Sequence, residues 1–295
     1  MMIHISITPK DMRLAQIVDT ALTSFATPEY ELSGDSSLTI PAQLQHLACQ
    51  PGLILLSGRP AMGCTSLALN TALSITKIQR RTVLYFSFDT TKEMLMKKLL
   101  CIEGMVNTQR IWDQDFTDAD WVRLTTAGKL IKELPLHIYD DPLLTIGEIN
   151  QICSQHEYVD LVIIDSLQNV QSMPGEWGTP KRVKKENRIL QQLNRLSKEH
   201  NTTVLCLNAL GRSVENRVCK EPDVCDIRQY RKSFDYIDTA LFLYREDYYE
   251  DQTTEDLWAF CYVRLTRNND YSRIRMKWIP QYTTFLEARF RHADN

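Results

Sequence analysis

Eight consecutive residues, Gly58-Arg-Pro-Ala-Met-Gly63-Cys64-Thr65, have the spacing of a loop that wraps phosphate. Glycines at its two ends let backbone N–H groups converge on phosphate oxygens. A helix that follows adds its N-terminal partial positive charge, and Thr65 supplies a hydroxyl for Mg²⁺. Position 64 of such a loop normally holds a lysine whose ammonium bridges the terminal phosphates and offsets the charge of the transition state. A neutral thiol cannot do this, and a thiolate, which a helix N-terminus favours, would set negative charge beside phosphate. Alone, the eight residues fit a Gly-rich turn as readily as a phosphate cradle. The candidate nucleotide contacts are Gly58, Arg59, Pro60, Ala61, Met62, Gly63, Cys64, Thr65 and Ser66.

A second element strengthens the cradle. Leu161-Val-Ile-Ile-Asp165 is an apolar strand ending in a carboxylate, the means by which a strand beside the loop holds Mg²⁺ or its bound water. Thr65 and Asp165 are therefore the candidate metal-binding pair. Farther on, Lys181-Arg182-Val-Lys184-Lys185 places four cations in five residues after a Gly- and Pro-containing stretch that includes Trp177. Such a run can track a nucleic-acid backbone with the tryptophan stacked on a base, or it can be the solvated start of a helix. Asp140-Asp141 precedes Pro142 and reads as a turn signal, and Asp247 to Asp251 reads as a solvated acidic turn. Cys219 and Cys225 lack the spacing of a zinc site and are expected to be ordinary thiols.

These residues need a scaffold, and the hydrophobic pattern describes one. From Gly52 onward, strand-like and helix-like segments alternate: strands at 53–57, 82–88, 136–139, 161–165 and 203–207, and helices at 65–78, 92–105, 118–132, 146–156 and 185–200. Strands separated by helices imply parallel pairing with helices on both faces. The closely spaced strands at 236–244, 257–266, 272–279 and 284–288 imply an antiparallel extension. Residues 1–33 differ in character, with Leu14, Ile17, Val18, Ala21, Leu22 and Phe25 at helical spacing, and the main domain is expected over 34–295. On the residues alone, that apolar stripe is expected on the chain's own core.

The 295 residues carry a net charge of −3, so nucleic-acid binding would have to rest on a local basic patch. Apolar runs are far shorter than a membrane span, no leader-like segment opens the chain, and eight scattered cysteines suit a reducing compartment, so a cytoplasmic, non-membrane protein is expected.

Taken in order, Gly58 to Gly63, Tyr85-Phe-Ser-Phe-Asp89 with Lys92-Glu93, the Asp118 to Leu124 helix start, Leu161 to Gln168, Gly211-Arg-Ser-Val-Glu215, Asp226-Ile-Arg228, Leu241 to Tyr249 and Arg267-Asn268 resemble the C-terminal motor domain of DnaB-type replicative DNA helicases. The resemblance covers about residues 34–290 and implies a RecA-like P-loop NTPase fold, α/β with a mostly parallel central sheet. It further implies ATP and Mg²⁺ as ligands, a hexameric ring with nucleotide between subunits, and single-stranded DNA as partner in replication. By the same resemblance Asp11 to Phe25 corresponds to a linker helix that packs on a neighbouring subunit, while the family's larger N-terminal helical domain has no counterpart here.

Carried over residue by residue, the resemblance keeps Thr65, Asp165 and Arg267, the last as the arginine that reaches a neighbour's γ-phosphate. The water-activating glutamate becomes Asp89, shorter by about 1.5 Å, where errors near 1 Å can cost ~10²-fold in rate. The γ-phosphate-sensing glutamine falls at Ala209, and the lysine two residues before the arginine falls at Leu265. In the segment resembling a DNA-backbone loop Arg228 is kept, while Gln229 and Arg231 depart from the pattern. DNA contacts are expected at Lys181, Arg182, Lys184, Lys185 and Arg228. Arg59 or Lys92 are candidates to replace the missing ammonium. The expectation is weak or lost ATP hydrolysis, a pseudoenzyme or unusual motor, with a non-hydrolysing regulator, loader or inhibitor of a host replicative helicase as the alternative.

Overall fold

The computed structural model describes residues 16–19, 40–171, 182–249, 257–266 and 271–287. Their order is α1 (Ala42–Leu47), β1 (Gly52–Gly58), α2 (Cys64–Gln79), β2 (Val83–Ser87), α3 (Lys92–Gly104), α4 (Gln109–Asp113), α5 (Asp118–Lys132), β3 (Leu136–Tyr139), α6 (Ile146–Ser154), β4 (Leu161–Asp165), α7 (Arg182–His200) and β5 (Thr203–Ala209). Two 3₁₀ stretches, Arg212–Asn216 and Val224–Tyr236, lead into β6 (Thr239–Arg245), β7 (Trp258–Thr266), β8 (Ser272–Ile279) and β9 (Thr284–Glu287).

The nine strands among the described residues form one sheet in the order β3-β2-β4-β5-β1-β6-β7-β8-β9. The first six in that order run parallel, and β6 to β9 pair antiparallel. The expected architecture is therefore present. Because strand side chains alternate, Ile54, Leu56, Tyr85, Ile163, Leu205 and Leu207 feed one core, on the side of α2, α3 and α5. Leu53, Leu55, Leu84, Phe86, Ile164, Val204 and Cys206 feed the other, with α6, α7 and the second 3₁₀ stretch. Strands buried on both faces read as continuous apolar runs, which is why β1, β2, β4 and β5 are legible in the sequence.

Local chemistry fixes the helix starts. Thr117 and Asp120, and likewise Thr145 and Glu148, form reciprocal capping boxes at α5 and α6. Two elements are additional to those read from the sequence. Helix α4 lies within what reads as a polar connector, and α1 is too short to show a period. The strand read as starting at Tyr236 starts instead at Thr239, because Val224–Tyr236 coils as 3₁₀ helix against α7. Residues 16–19 are helical, with Ile17 and Val18 buried in this chain's own core and Asp19 paired with Lys132. The described part of that helix thus packs within this chain. The remainder of Asp11 to Phe25 lies outside the described residues.

The entry to β1 rests on Asp238, whose Oδ2 accepts the Leu53 N–H at 2.7 Å and faces the Asn194 amide at 3.3 Å. A Cβ on Gly52 would lie 3.0 Å from that oxygen, so the glycine is what admits the carboxylate. Asp238→Ala leaves the Leu53 N–H without this acceptor and is expected to cost about 1–3 kcal/mol. The check is a lowered urea midpoint at unchanged m-value.

Candidate functional site

The C-terminal ends of β4, β5 and β1 lie side by side, and there Asp165, Ala209 and Gly58 end their strands. Chain connections depart from neighbouring strands in opposite directions at this point, which opens a crevice beyond the strand ends. Gly58 pairs in register with Ala209, and Leu210 N–H donates to the Gly58 carbonyl at 2.9 Å. The loop then turns through Ala61 at φ 65° and Gly63 at φ 103°, both in the left-handed region. Gly63 caps α2, whose first turn carries no acidic residue. Pro60 and Ala61 are exposed at the rim, Met62 is buried, and Ser66 sits in the first turn with its carbonyl accepting from Asn70. Open N–H groups at an uncharged helix start form an anion-binding geometry, so the residues present fit a phosphate.

Cys64 is folded back into the loop instead of reaching out of it. A Cβ built on Gly58 would be 2.6 Å from the Cys64 Sγ. Burial and the Asp165 carboxylate push this thiol up to about 12. Both effects favour the neutral thiol over the thiolate considered from the sequence. The residue is half-buried as a whole, but its sulfur lies inside.

Thr65 Oγ1 donates to Asp165 Oδ2 at 2.9 Å, bringing together the two residues expected to hold Mg²⁺. Tyr85, buried on β2 and not singled out by the sequence reading, donates its phenol to the same oxygen at 2.7 Å. Burial raises the Asp165 carboxyl, these two hydroxyls lower it, and nearby Asp89 raises it. Asp89 is itself exposed. Among the described residues no group of three or more His, Cys, Asp or Glu could hold a metal. A hydroxyl and one carboxylate nevertheless suit Mg²⁺, which keeps waters and takes its remaining ligands from phosphate.

Neither cation offered as a substitute for lysine is disengaged. Arg59 is held by Glu215 at 2.7 Å and by the Leu210 carbonyl at 2.5 Å, and Lys92 lies 3.6 Å from Asp140. Asp140 also caps α3 through the Lys92 N–H, while Asp141 accepts from Leu143 N–H in the turn expected of it. The acidic stretch from Asp247 is not simply solvated. Asp247 grips Arg245 at 2.9 and 3.1 Å, and Arg245 reaches the Ala61 and Met62 carbonyls at 3.3 and 3.4 Å while stacking on Trp278. Phe285 closes this brace from below, since a Cβ on Gly63 would meet its ring at 3.0 Å. Arg245 was hidden in the sequence because a charged residue at a strand end reads as a solvated one.

On the opposite face of the sheet, α7 packs against Val224–Tyr236. Asn187 joins them through the Gln229 carbonyl at 3.2 Å and Ser233 at 2.5 Å. Lys184 and Arg228, together with Arg231, are exposed on this surface, and Lys185 is half-buried. Lys181, Trp177 and Arg267 lie outside the described residues, as do the side chains of Arg182 and Leu265.

A glycine-rich loop between β1 and α2, a strand-end carboxylate hydrogen-bonded to its threonine, and this strand order define a RecA-like P-loop NTPase fold. Residues 46–287 match the family model described as DnaB-like helicase C terminal domain, and the chain belongs to that family. It is 32% identical over 243 residues to a probable replicative DNA helicase of Trieres chinensis, which covers 80% of this chain and 53% of that protein. Over 248 residues it is 30% identical to the replicative DNA helicase DnaC of Bacillus subtilis (strain 168), covering 82% and 54% respectively. The chain thus spans about half the length of these curated relatives. In fold it resembles a solved DnaB-like replicative helicase, with a TM-score of 0.77 and 23% identity over 92% of this chain and 68% of that one. No helix among the described residues is long and apolar enough to cross a membrane.

Proposed function

We propose that the chain is a DnaB-helicase-like, ring-forming protein of DNA replication that binds nucleotide with Mg²⁺ and single-stranded DNA, and that its ATP hydrolysis is weak or lost. The observation that carries this reading is the phosphate loop itself: Thr65 and Asp165 meet at 2.9 Å while a neutral Cys64 occupies the lysine's position. Thr65 and Asp165 would hold the metal, which when bound would draw together and shield the phosphate oxygens. The backbone from Gly58 to Ser66 would hold the phosphates, with Asp89 beside the metal pair and Arg267 directed at a neighbour's site. Phosphoryl transfer depends chiefly on positioning and electrostatics. A thiol at position 64 and a methyl group at position 209 supply neither, and Arg59 and Lys92 are committed to Glu215 and Asp140.

Measuring nucleotide affinity and DNA-stimulated hydrolysis on the natural protein tests the proposal. Turnover at motor-like rates that requires Arg267 overturns the loss of hydrolysis. Binding of no nucleotide, with assembly into mixed rings with an active helicase, favours the regulator instead. For the basic surface, Lys184→Ala with Arg228→Ala is expected to weaken oligonucleotide binding without regard to sequence. The two changes should also flatten the slope of log affinity against log salt by about 1–2. An unchanged slope removes these two side chains from the interface.

A further inference from the structure

Beneath the basic surface, four polar side chains form a buried chain that ends at the phosphate loop. Glu186 of α7, Tyr230 of the 3₁₀ stretch, Asn208 of β5 and Ser57 of β1 are each 0–2% exposed. The Tyr230 hydroxyl lies 3.0 Å from Glu186 Oε2 and 3.1 Å from Asn208 Oδ1. Asn208 Nδ2 donates to Ser57 Oγ at 2.9 Å, and Ser57 is followed by Gly58, the first residue of the loop. Gln168, three residues beyond Asp165, fixes which way the Asn208 amide faces. Its Oε1 accepts the Ala209 N–H at 3.3 Å, so its Nε2 is the group that donates to Asn208 Oδ1 at 2.7 Å.

Groups this deeply buried keep their polar partners or destabilise the fold, so the chain is structurally constrained at every link. One link is not single-valued. A tyrosine hydroxyl has one proton and here has two acceptors, Asn208 and Glu186, so strengthening one bond weakens the other. Both partners of that link are adjacent in sequence to surface cations: Glu186 follows the exposed Lys184 and the half-buried Lys185, and Tyr230 lies between the exposed Arg228 and Arg231. A load on those cations that shifts α7 against the 3₁₀ stretch changes the Glu186–Tyr230 separation directly.

We propose that Tyr230 and Asn208 are positioning residues that couple the basic surface to the phosphate loop, with the Tyr230 proton as the element that redistributes. The ligands at the two ends rest on the function proposed above; the mechanical link does not. It can therefore be tested first without ligand, by hydrogen exchange of amides 58–65 in the natural chain, Tyr230→Phe and Glu186→Gln. Both variants keep the side-chain shape, and Glu186→Gln serves where Tyr230→Phe fails to fold. Exchange at the loop is expected to quicken by roughly 2- to 10-fold, the factor carried by one net hydrogen bond, with α6 amides unchanged. Loop exchange identical to the natural chain in a folded variant overturns the link.

The second arm adds a labelled oligothymidylate. In the natural chain its binding is expected to alter exchange at 58–65, and in Tyr230→Phe it is expected to bind while leaving the loop as it was. An undiminished effect in Tyr230→Phe also overturns the proposal. Failure of the natural chain to bind the oligonucleotide sinks the DNA part of the functional reading, and the ligand-free comparison then decides the link by itself.

Discussion

Cys64→Lys is expected to tighten binding of a magnesium–nucleoside triphosphate by about 10- to 100-fold, the range of one charge-assisted hydrogen bond to phosphate. The cradle around position 64 is already formed: Gly63 is in the left-handed region, the α2 N-terminus lacks acidic residues, and Thr65 meets Asp165. A lysine would leave the space over Gly58 that the thiol occupies and extend into the crevice. Turnover is expected to gain far less than affinity. The shorter Asp89 and the methyl group of Ala209 remain, and transition-state contacts that act together are not restored one at a time. Titration calorimetry beside single-turnover hydrolysis separates the two. A variant that reaches motor-like turnover would show that the lysine alone was lacking, whereas unchanged affinity would mean that the loop does not bind triphosphate.

Asp165→Asn is expected to abolish most Mg²⁺-dependent enhancement of nucleotide binding, at least about 10-fold, while raising the melting temperature at neutral pH. Burial raises the folded-state carboxyl above its ordinary value of 3.8. For an acid shifted in that sense, the stabilising contribution belongs to the protonated form. It is fully present below the unfolded value and is lost as pH rises through the folded one. The ionised carboxylate is the form that burial disfavours, and asparagine removes it while still accepting from Thr65 and Tyr85. The gap in melting temperature between the two proteins should close as pH falls toward ~4. A melting temperature below the natural one at pH 7 would show that the two hydroxyl donors outweigh burial.

The sheet was readable because parallel strands buried on both faces leave uninterrupted apolar runs, and α5, β3, β4 and β8 lie where the pattern puts them. Thr65 and Asp165, a hundred positions apart, were paired from motif spacing, and the structure brings their side chains together. What escaped the sequence is polar and non-local. Tyr85 stands between the apolar Leu84 and Phe86, and only the packing of β2 beside β4 aims its hydroxyl at Asp165. Arg245, Asp247 and the Asn208–Tyr230–Glu186 chain gain their meaning from partners up to 184 positions away, a distance over which no periodicity speaks. The 3₁₀ stretch before β6 was read as strand at its last residue because Tyr236 is aromatic, whereas its turn is set by Asp223 and Asp226 capping at the other end.

The brace beneath the loop has a consequence for the order of events during synthesis. Asn70 of α2 accepts the Phe285 N–H at 3.0 Å across 215 positions, and Phe285 supports Gly63. A growing chain thus exposes the complete Gly58–Thr65 signature long before Phe285 is made. Its parallel core can assemble once β6 has emerged, yet the floor of the loop is supplied only by β9. Until β9 emerges the nascent chain carries a nucleotide fingerprint without the support that gives it shape.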